Sequence, residues 1–599
     1  MITRRRRIGV LIGSATAAYM RIIINGMYQA AADLGIDLVV FAGTQLAYSF
    51  TDGDLIEKNH DFMNELTRSH VRENRLEGMI ICYGSHAVFM DEDVRKRLLD
   101  MYSDVPYILI EEFTDKNNTG YLINDNYNSM RKVVEHMVKY HGYRKFLYVG
   151  GRANNREAIE RRRALEDVFL ENDIVFTDEM MIDGMFVEDC DVEVEILLDR
   201  NEKPEAIICA NDLMAYAVYR VLKKRGIPIG NPRMISGAIA VTGYDDDVRA
   251  VSSDPPLTTV MQDFYYEGYT AVEKILALLR DGIVDSGIVP TLLQKRVSCG
   301  CSFGQVHRYA PMNETERTNP EFYAIKVSEM MREEILISNV REEIGDKVYD
   351  IIYEAVNKDI FMYNGLIKET LNSDVVINQL RRLVDSEYRR YISLNSLIRT
   401  YSDYVSSLIR GTSDQRAIEI LADILVEGTK YLQNCILNMS DVAGERYERE
   451  ALQMSLISRN MSLVADEGDE KMYYVALDKM NYCDSSDIYM FLKDKPINYS
   501  DGVDAVYKGK LYLVASKTEA EGIMTYSADN RPIVSKERSV LDFASEYGDE
   551  KGNRYCLAEI HHGDKLYGVL VSRMDDDDIM YLSLFAHQLA LVLSYKFND

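Results

Sequence analysis

Two runs of this chain carry a buried apolar stretch straight into polar groups. Pro204-Glu205-Ala206-Ile207-Ile208-Cys209-Ala210-Asn211-Asp212 closes on an amide and a carboxylate. Ala240-Val241-Thr242-Gly243-Tyr244-Asp245-Asp246 closes on a Gly turn and paired acids, and Pro255-Pro256-Leu257-Thr258-Thr259-Val260-Met261-Gln262-Asp263-Phe264 follows. Donors and acceptors at the carboxyl ends of buried strands are where an α/β sheet binds its ligands. The same residues have a purely local use: Asn211-Asp212 can cap a helix and Asp245-Asp246 can make a turn. Groups set for bond-breaking are missing from the sequence. It holds no Walker loop, no G-x-S-x-G elbow, no H-E-x-x-H and no kinase motif set, so an enzyme is not expected.

The cysteines and histidines suggest no metal centre. Cys82, Cys190, Cys209, Cys299, Cys301, Cys435, Cys483 and Cys556 are scattered through apolar or turn contexts. Only Cys299-Gly300-Cys301 is close-spaced, and C-x-C with no second ligand pair nearby is a poor metal site. Buried, reduced thiols are expected, which fits a cytoplasmic protein. His561-His562 and His587 read as surface and helix residues, since no carboxylate or Cys partner stands at ligand spacing. Neither a metal nor a cofactor is expected.

Over the first 300 residues apolar runs alternate with amphipathic stretches, the pattern of a parallel α/β sheet that could hold these groups. Strands are expected at Ile8–Ile12, Asp37–Phe41, Gly78–Cys82, Tyr107–Ile110, Phe146–Val149, Ala206–Cys209 and Ala240–Gly243. Helices are expected at Arg21–Leu34, Asn128–Tyr140, Glu157–Asn172 and Leu213–Arg225, the last stopped by Gly226-Ile227-Pro228. The basic lead-in Arg4–Arg7 precedes an apolar run too short for a signal peptide, and no stretch approaches the ~20 apolar residues of a membrane span.

From Ile8 to about Ser302 the elements, in order, resemble the ligand-binding domain of LacI/GalR regulators and the periplasmic sugar-binding proteins. The two strand–loop motifs above carry the likeness, with Asp125-Asn126 ahead of His136, Arg161 ahead of Ala164-Leu165, and the closing Lys295-Arg296-Val297-Ser298-Cys299-Gly300-Cys301. The resemblance implies a two-lobed, type I periplasmic-binding-protein-like α/β fold. Its pocket would use Ser14, Tyr19, Ser85, Asp125, Arg161, Phe186, Asn211, Asp245, Gln262 and Phe264. Asp245 and Arg161 could grip vicinal hydroxyls through charge-assisted hydrogen bonds. Asn211 offers donor and acceptor together, and Phe186 or Phe264 could stack on a flat ligand face. The implied ligand is a sugar, nucleoside or related metabolite, and the implied assembly a homodimer. Seven residues before the first strand leave no room for the family's helix-turn-helix, so direct DNA binding is not expected.

Residues 303–320 read as a polar linker and 321–464 as a helical bundle or stalk. In the latter, Ile377, Leu380, Val384, Tyr388 and Tyr391 share one face. The run Ile418–Met439 is apolar enough to be packed on both sides, and a helix around Glu450–Val464 leads onward. From 465 to 599 the period becomes two. Strands are expected at Met472–Leu477, Ile488–Leu492, Lys510–Ala515, Arg554–Ile560 and Lys565–Ser572, with a closing helix Ile579–Tyr595. The ending, with its acidic loop Asp575–Asp578 and Phe585-Ala586-His587-Gln588-Leu589-Ala590, resembles an α+β GAF domain. Gly548-Asp549-Glu550 falls short of the GGDEF loop of diguanylate cyclases and reads as a hairpin turn.

The formal net charge of −27 repels a polyanion over most of the surface. The expected protein is a cytoplasmic small-molecule sensor whose lobe closure passes through the helices to the GAF-like domain, with no membrane partner. Two alternatives stand beside it. One is the regulatory portion of a diguanylate cyclase whose effector domain lies outside these residues. The other is a transcription regulator acting through a partner protein.

Overall fold

Uninterrupted apolar runs such as Gly78–Cys82 and Ala206–Cys209 need cover on both faces, which parallel strands between helices provide. The computed structural model describes residues 5–13, 18–42, 64–87, 92–153, 155–201, 203–289, 291–301, 316, 318–335, 342–363, 373–384, 392, 394–435, 469–478, 487–498, 501–502, 504–505, 508–535, 537–545, 554–562, 565–573 and 579–596. It divides into two units. One joins Met1–Ile123, Asp263–Val289 and Tyr447–Asp599; the other joins Asn124–Gln262 and Pro290–Arg446.

The first unit is built on β1 (Arg7–Ile12), β2 (Asp37–Ala42), β3 (Gly78–Cys82), β4 (Tyr107–Ile110) and β5 (Thr119–Asn124). These pair in parallel in the doubly wound order 5-4-3-1-2. The order reverses between β1 and β3. There the backbone N–H of Gly13 donates to Ser85 Oγ at 2.8 Å. Helix α1 (Ala18–Leu34) packs against the helix Phe264–Asp281 at backbone distance. A Cβ on Gly26 would lie 2.0 Å from the Tyr265 carbonyl oxygen, and one on Gly268 would lie 1.8 Å from that of Ile23. Only glycine fits at either crossing point.

The second unit carries β6 (Phe146–Gly150), β7 (Met181–Asp183), β8 (Ala206–Cys209) and β9 (Ala240–Thr242), parallel in the order 7-6-8-9. An antiparallel ribbon of β10 (Thr259–Gln262) and β12 (Thr291–Gln294) lies beyond it, and β11 (Gly287–Val289) returns to the first unit's sheet. The expected strands are found within a residue or two. Those unforeseen are short or edge-lying: Thr119–Asn124 buries only alternate residues and follows a turn-like Asn117-Asn118.

Beyond the linker, the described residues form helices at Pro320–Ile335, Glu342–Tyr363, Ser373–Val384, Leu394–Arg410 and 415–435. Their shared core includes Tyr323, Val327, Ile352, Val356, Leu397, Tyr401 and Leu408. The expectation that Ile418–Met439 is packed on both sides needs correction over its described part, residues 418–435. Leu421, Ile424, Gly428 and Leu432 are buried along one stripe, while Asp423, Val426 and Lys430 face solvent. The charged residues at three- and four-residue steps hold the outer face in water. Tyr388, Tyr391, the helix at Glu450–Val464, Ser14, Gly548–Glu550 and Asp575–Asp578 lie outside the described residues.

The C-terminal strands are β13 (Asp487–Asn498), β14 (Leu511–Thr518), β15 (Gly522–Thr525), β16 (Arg554–His562) and β17 (Lys565–Arg573). Met472–Leu477 is not a strand but part of the helix Asp469–Asp478. Met472, Tyr473, Ala476 and Leu477 are buried, a four-residue repeat that the short apolar window disguised as alternation. These strands do not make a sheet of their own. β16 pairs in parallel with β2, in register from Arg554 opposite Leu38 to Leu557 opposite Phe41. One sheet of eleven strands results, parallel in its N-terminal part and antiparallel from β16 onward.

A buried cation secures this junction. Arg7, 4% exposed, lies 3.8 Å from Asp37 on β2 and 3.2 Å from Asp542 in the helix Val540–Ala544. Beside it, Asn74 Oδ1 accepts from the Leu541 N–H at 3.2 Å. Burial raises the Asp542 carboxyl, but hydrogen bonds from Ser539 and the Arg7 charge together hold it below the usual carboxylate range. Replacing Arg7 leaves Asp37 buried without this partner. The variant Arg7→Ala should therefore lose about 2 kcal/mol or more in urea unfolding of the full chain, and an unchanged midpoint would show the junction is held by strand pairing alone.

Candidate functional site

In the second unit the order of strands reverses between β6 and β8, so side chains just beyond their carboxyl ends converge. Helix α2 (Asn126–Glu135) starts there with Asp125 as its N-cap, and α3 (Arg156–Glu171) and α4 (Asp212–Lys224) start at Asn155 and Asn211. Two of the expected pocket residues of this unit, Phe186 and Asp245, meet a third, Arg161; Gln262 joins them through Asp245 and Asn211 through Phe186.

Arg161 is 2% exposed. Its Nε donates to Asn126 Oδ1 at 2.8 Å, one terminal nitrogen donates to the Ala210 carbonyl at 2.7 Å, and the other reaches Glu157 at 3.3 Å. The guanidinium lies 3.7 Å from the centre of the Tyr244 ring and 5.6 Å from that of Phe186. Asp245 Oδ1 stands 3.7 Å away. The expectation that Arg161 reaches out to grip ligand hydroxyls is thus modified: most of its bonding holds the loops after β6, β8 and β9 together. It positions the site.

Asn211 and Asp125 also spend their side chains on the protein. Asn211 Oδ1 accepts from the Met214 N–H at 3.0 Å, and its amide nitrogen donates to the Phe186 carbonyl at 3.3 Å. Asp125 accepts from the Asn128 N–H at 3.1 Å and from its side chain at 2.8 Å. The capping use weighed for Asn211 from sequence is real, and Asp125 has one too. Asp212, unassigned from sequence, is buried. It accepts from the Thr259 hydroxyl at 2.6 Å and the Asp247 N–H at 2.8 Å, which fixes the loop that carries Asp245.

Asp245 and Gln262 are different. Gln262 Nε2 donates to Asp245 Oδ1 at 2.7 Å. Gln262 is 8% exposed, and its Oε1 is buried with no hydrogen-bond partner among the described residues. The Asp245 side chain keeps 31% of its surface open. Asp245 has φ 110°, and Phe186 has φ 61°. Such backbone costs on the order of 1–3 kcal/mol for a residue with a Cβ and gathers at ligand sites. A buried acceptor beside a carboxylate on strained backbone is suited to a ligand bearing several donors.

In the first unit, Tyr19 and Phe264 pair with ring centroids 5.4 Å apart. Ser85 is 8% exposed, and its hydroxyl donates to the Cys82 carbonyl at 2.6 Å. Elsewhere, His561 is corrected from a surface residue to a buried one on β16. Burial first, then the neighbouring His587 and His562, push its pKa down to about 3, so it is neutral. Cys299 and Cys301 also need correction, since the fold brings His136 and His141 beside them. The signal was in the sequence, but 158 residues of chain separate the nearest members.

Residues 134–299 match the periplasmic binding protein-like domain family, so this part of the chain is a domain of that kind. The HTH-type transcriptional repressor PurR of Vibrio atlanticus is 24% identical over 279 residues, 46% of this chain and 75% of the relative. Its counterpart from Photobacterium profundum is 25% identical over 282 residues, again 75% of its length. Among solved structures, the transcriptional regulator CelR–cellobiose complex is similar at 21% identity, covering 50% of this chain and 86% of that one, with a TM-score of 0.41. The lac repressor dimer bound to operator and anti-inducer is similar at 21% identity, covering 50% and 83%, with a TM-score of 0.40. The relatives named are transcriptional regulators, not enzymes. Among the described residues no helix is long and apolar enough to cross a membrane.

Burial raises the Asp245 carboxyl to about 7 despite the attraction of Arg161. The unfolded value is about 3.9, so between these the folded chain holds a proton that the unfolded chain has lost. Stability from this group is complete below about pH 4 and is lost as pH rises through about 7. Asp245→Asn cannot ionise, so its urea midpoint should fall less than that of the parent chain between pH 4 and 8. Parallel curves would place the Asp245 carboxyl at its ordinary value. Asp212 is also raised, by burial first and then by the Asp245 charge, so losing that charge in Asp245→Asn flattens the Asp212 contribution in the same direction.

Proposed function

We propose that this chain is a ligand-responsive regulator of transcription whose LacI-type domain binds a small polyhydroxylated or nitrogen-rich metabolite, a sugar or a nucleoside. The observation that carries the reading is the pair Asp245–Gln262. Gln262 presents a buried oxygen with no partner among the described residues, Asp245 presents a partly open carboxylate, and Arg161 braces the loops that hold Asp245. Asn211 and Phe186 shape the rim, and Asp125 caps the adjoining helix. Ser14, Tyr19, Ser85 and Phe264 enter as further ligand contacts on the family resemblance. Occupancy alters output by favouring one conformation through differential affinity, the only route by which a ligand moves such an equilibrium.

The repressors named above give the transcriptional part of the reading its support. The acidic balance of −27 supports action through a partner protein. Homodimeric assembly and a cytoplasmic setting complete the proposal. A second reading sends the signal into the C-terminal segment, GAF-like by resemblance, as in the input portion of a diguanylate cyclase. Its support is the pairing of β16 with β2, which gives that segment a direct hydrogen-bonded connection to a strand of the first unit.

Thermal unfolding of the full chain against monosaccharides, disaccharides, nucleosides and purines tests the site. A ligand at 100 times its Kd should stabilise the chain by about 2.7 kcal/mol, visible as a shift of a few degrees. Gln262→Ala should weaken binding about tenfold or more. A ligand that binds Gln262→Ala and Asp245→Ala both as tightly as the parent chain binds elsewhere and removes the reading.

A further inference from the structure

The helix α2 runs into a single π turn, His136–Tyr140, in which the His141 N–H donates to the His136 carbonyl at 3.2 Å. In an α-helix, residues five apart point in different directions. The wider π turn brings them nearly into line, and such turns are frequent at functional sites. Here it turns both imidazoles toward one point. From the other side comes the segment after β12, where Gly300 has φ 97°. A Cβ on Gly300 would lie 2.5 Å from the Tyr143 hydroxyl and 3.0 Å from the Asn231 Cα, so the tight bend that turns Cys299 and Cys301 inward requires glycine. Tyr143 secures the bend by donating to the Cys299 carbonyl at 3.1 Å, and its ring stacks on His141.

Two imidazole nitrogens and two sulfurs therefore converge, all within 4.8 Å of one another. His136 Nε2 lies 3.1 Å from His141 Nε2, 3.5 Å from Cys299 Sγ and 3.3 Å from Cys301 Sγ, and His141 Nε2 lies 3.5 Å from Cys301 Sγ. One imidazole nitrogen has a single hydrogen or a single lone pair to share, so hydrogen bonding accounts for one of the three approaches to His136, not all. A tetrahedral ion at ~2.3 Å from sulfur and ~2.0 Å from nitrogen sets its ligand atoms about 3.3 Å apart for N···N and about 3.5 Å for S···N. The four separations match within a few tenths of an ångström. His136, His141 and Cys299 are buried and Cys301 half-buried.

We propose that His136, His141, Cys299 and Cys301 form a structural zinc site. Two thiolates and two imidazoles suit zinc over calcium or magnesium. Four protein ligands close the tetrahedron and leave no position for a substrate, so the site holds structure rather than chemistry. It clamps the chain as it leaves the ligand-binding domain to the helix whose first residue, Asn126, receives the bond from Arg161.

The test is cobalt titration of the full chain, prepared metal-free under reducing conditions, with zinc competition. One equivalent of Co²⁺ should give the intense visible bands of a tetrahedral thiolate site, and zinc should bleach them. Cys301→Ser should weaken and shift the thiolate bands, since Cys299 alone remains, and bound zinc should raise the melting temperature of the parent chain more than that of this variant. If Cys301→Ser does not fold, alkylation of the parent chain decides instead: zinc should slow modification of Cys299 and Cys301 at least tenfold relative to metal-free protein. No tetrahedral spectrum in the parent chain, an unchanged one in Cys301→Ser, or equal alkylation with and without zinc overturns the proposal.

Discussion

A guanidinium withdrawn from water must be met by acceptors on nearly every side, and in this protein that demand organises the candidate site of the second unit. Arg161 reaches the start of α2 through Asn126, its own helix through Glu157, the end of β8 through the Ala210 carbonyl, and the loop after β9 through Tyr244 and Asp245. Each partner lies on a different element. The loops that make the candidate site are therefore not independently adjustable; they share one cation. The strained backbone at Phe186 and Asp245 is tolerated because these bonds leave the chain little alternative.

Much of this was legible in the sequence, for a physical reason. Parallel strands buried on both faces must be apolar throughout, so Ile8–Ile12, Gly78–Cys82 and Ala206–Cys209 announce themselves, and the polar residue that ends each run marks a strand's carboxyl end. Chemistry was harder to separate from architecture. Asn211 is a helix cap, Asp125 is another, and Arg161 is a brace, although all three residue types also suit a sugar. Only three-dimensional placement distinguishes Gln262, whose oxygen has no partner among the described residues, from Asn211, whose polar atoms are both engaged. Short windows failed differently. Met472–Leu477 has too few residues to separate a period of two from one of 3.6, and packing decided it as a helix.

Cys299 and Cys301 show a further limit of reading along the chain. Metal-ligand spacing is a local signature only when both ligand pairs are local. Here the histidines lie at the two ends of the π turn that follows α2 and the cysteines in the segment after β12, and that π turn and a left-handed glycine between the cysteines aim them at each other. Neither feature has a sequence signal strong enough to predict the meeting.

The pairing of β2 with β16 also constrains how the chain is made. Their partner residues are roughly 500 positions apart, so at 5–20 residues per second about 25–100 s pass between the ribosome's synthesis of one strand and of the other. Throughout that interval β2 presents an open, apolar hydrogen-bonding edge, the kind that templates aggregation. The emerging β2 segment thus has a built-in vulnerable period, and cells producing this protein would depend on chaperone cover for it until Arg554–His562 arrives.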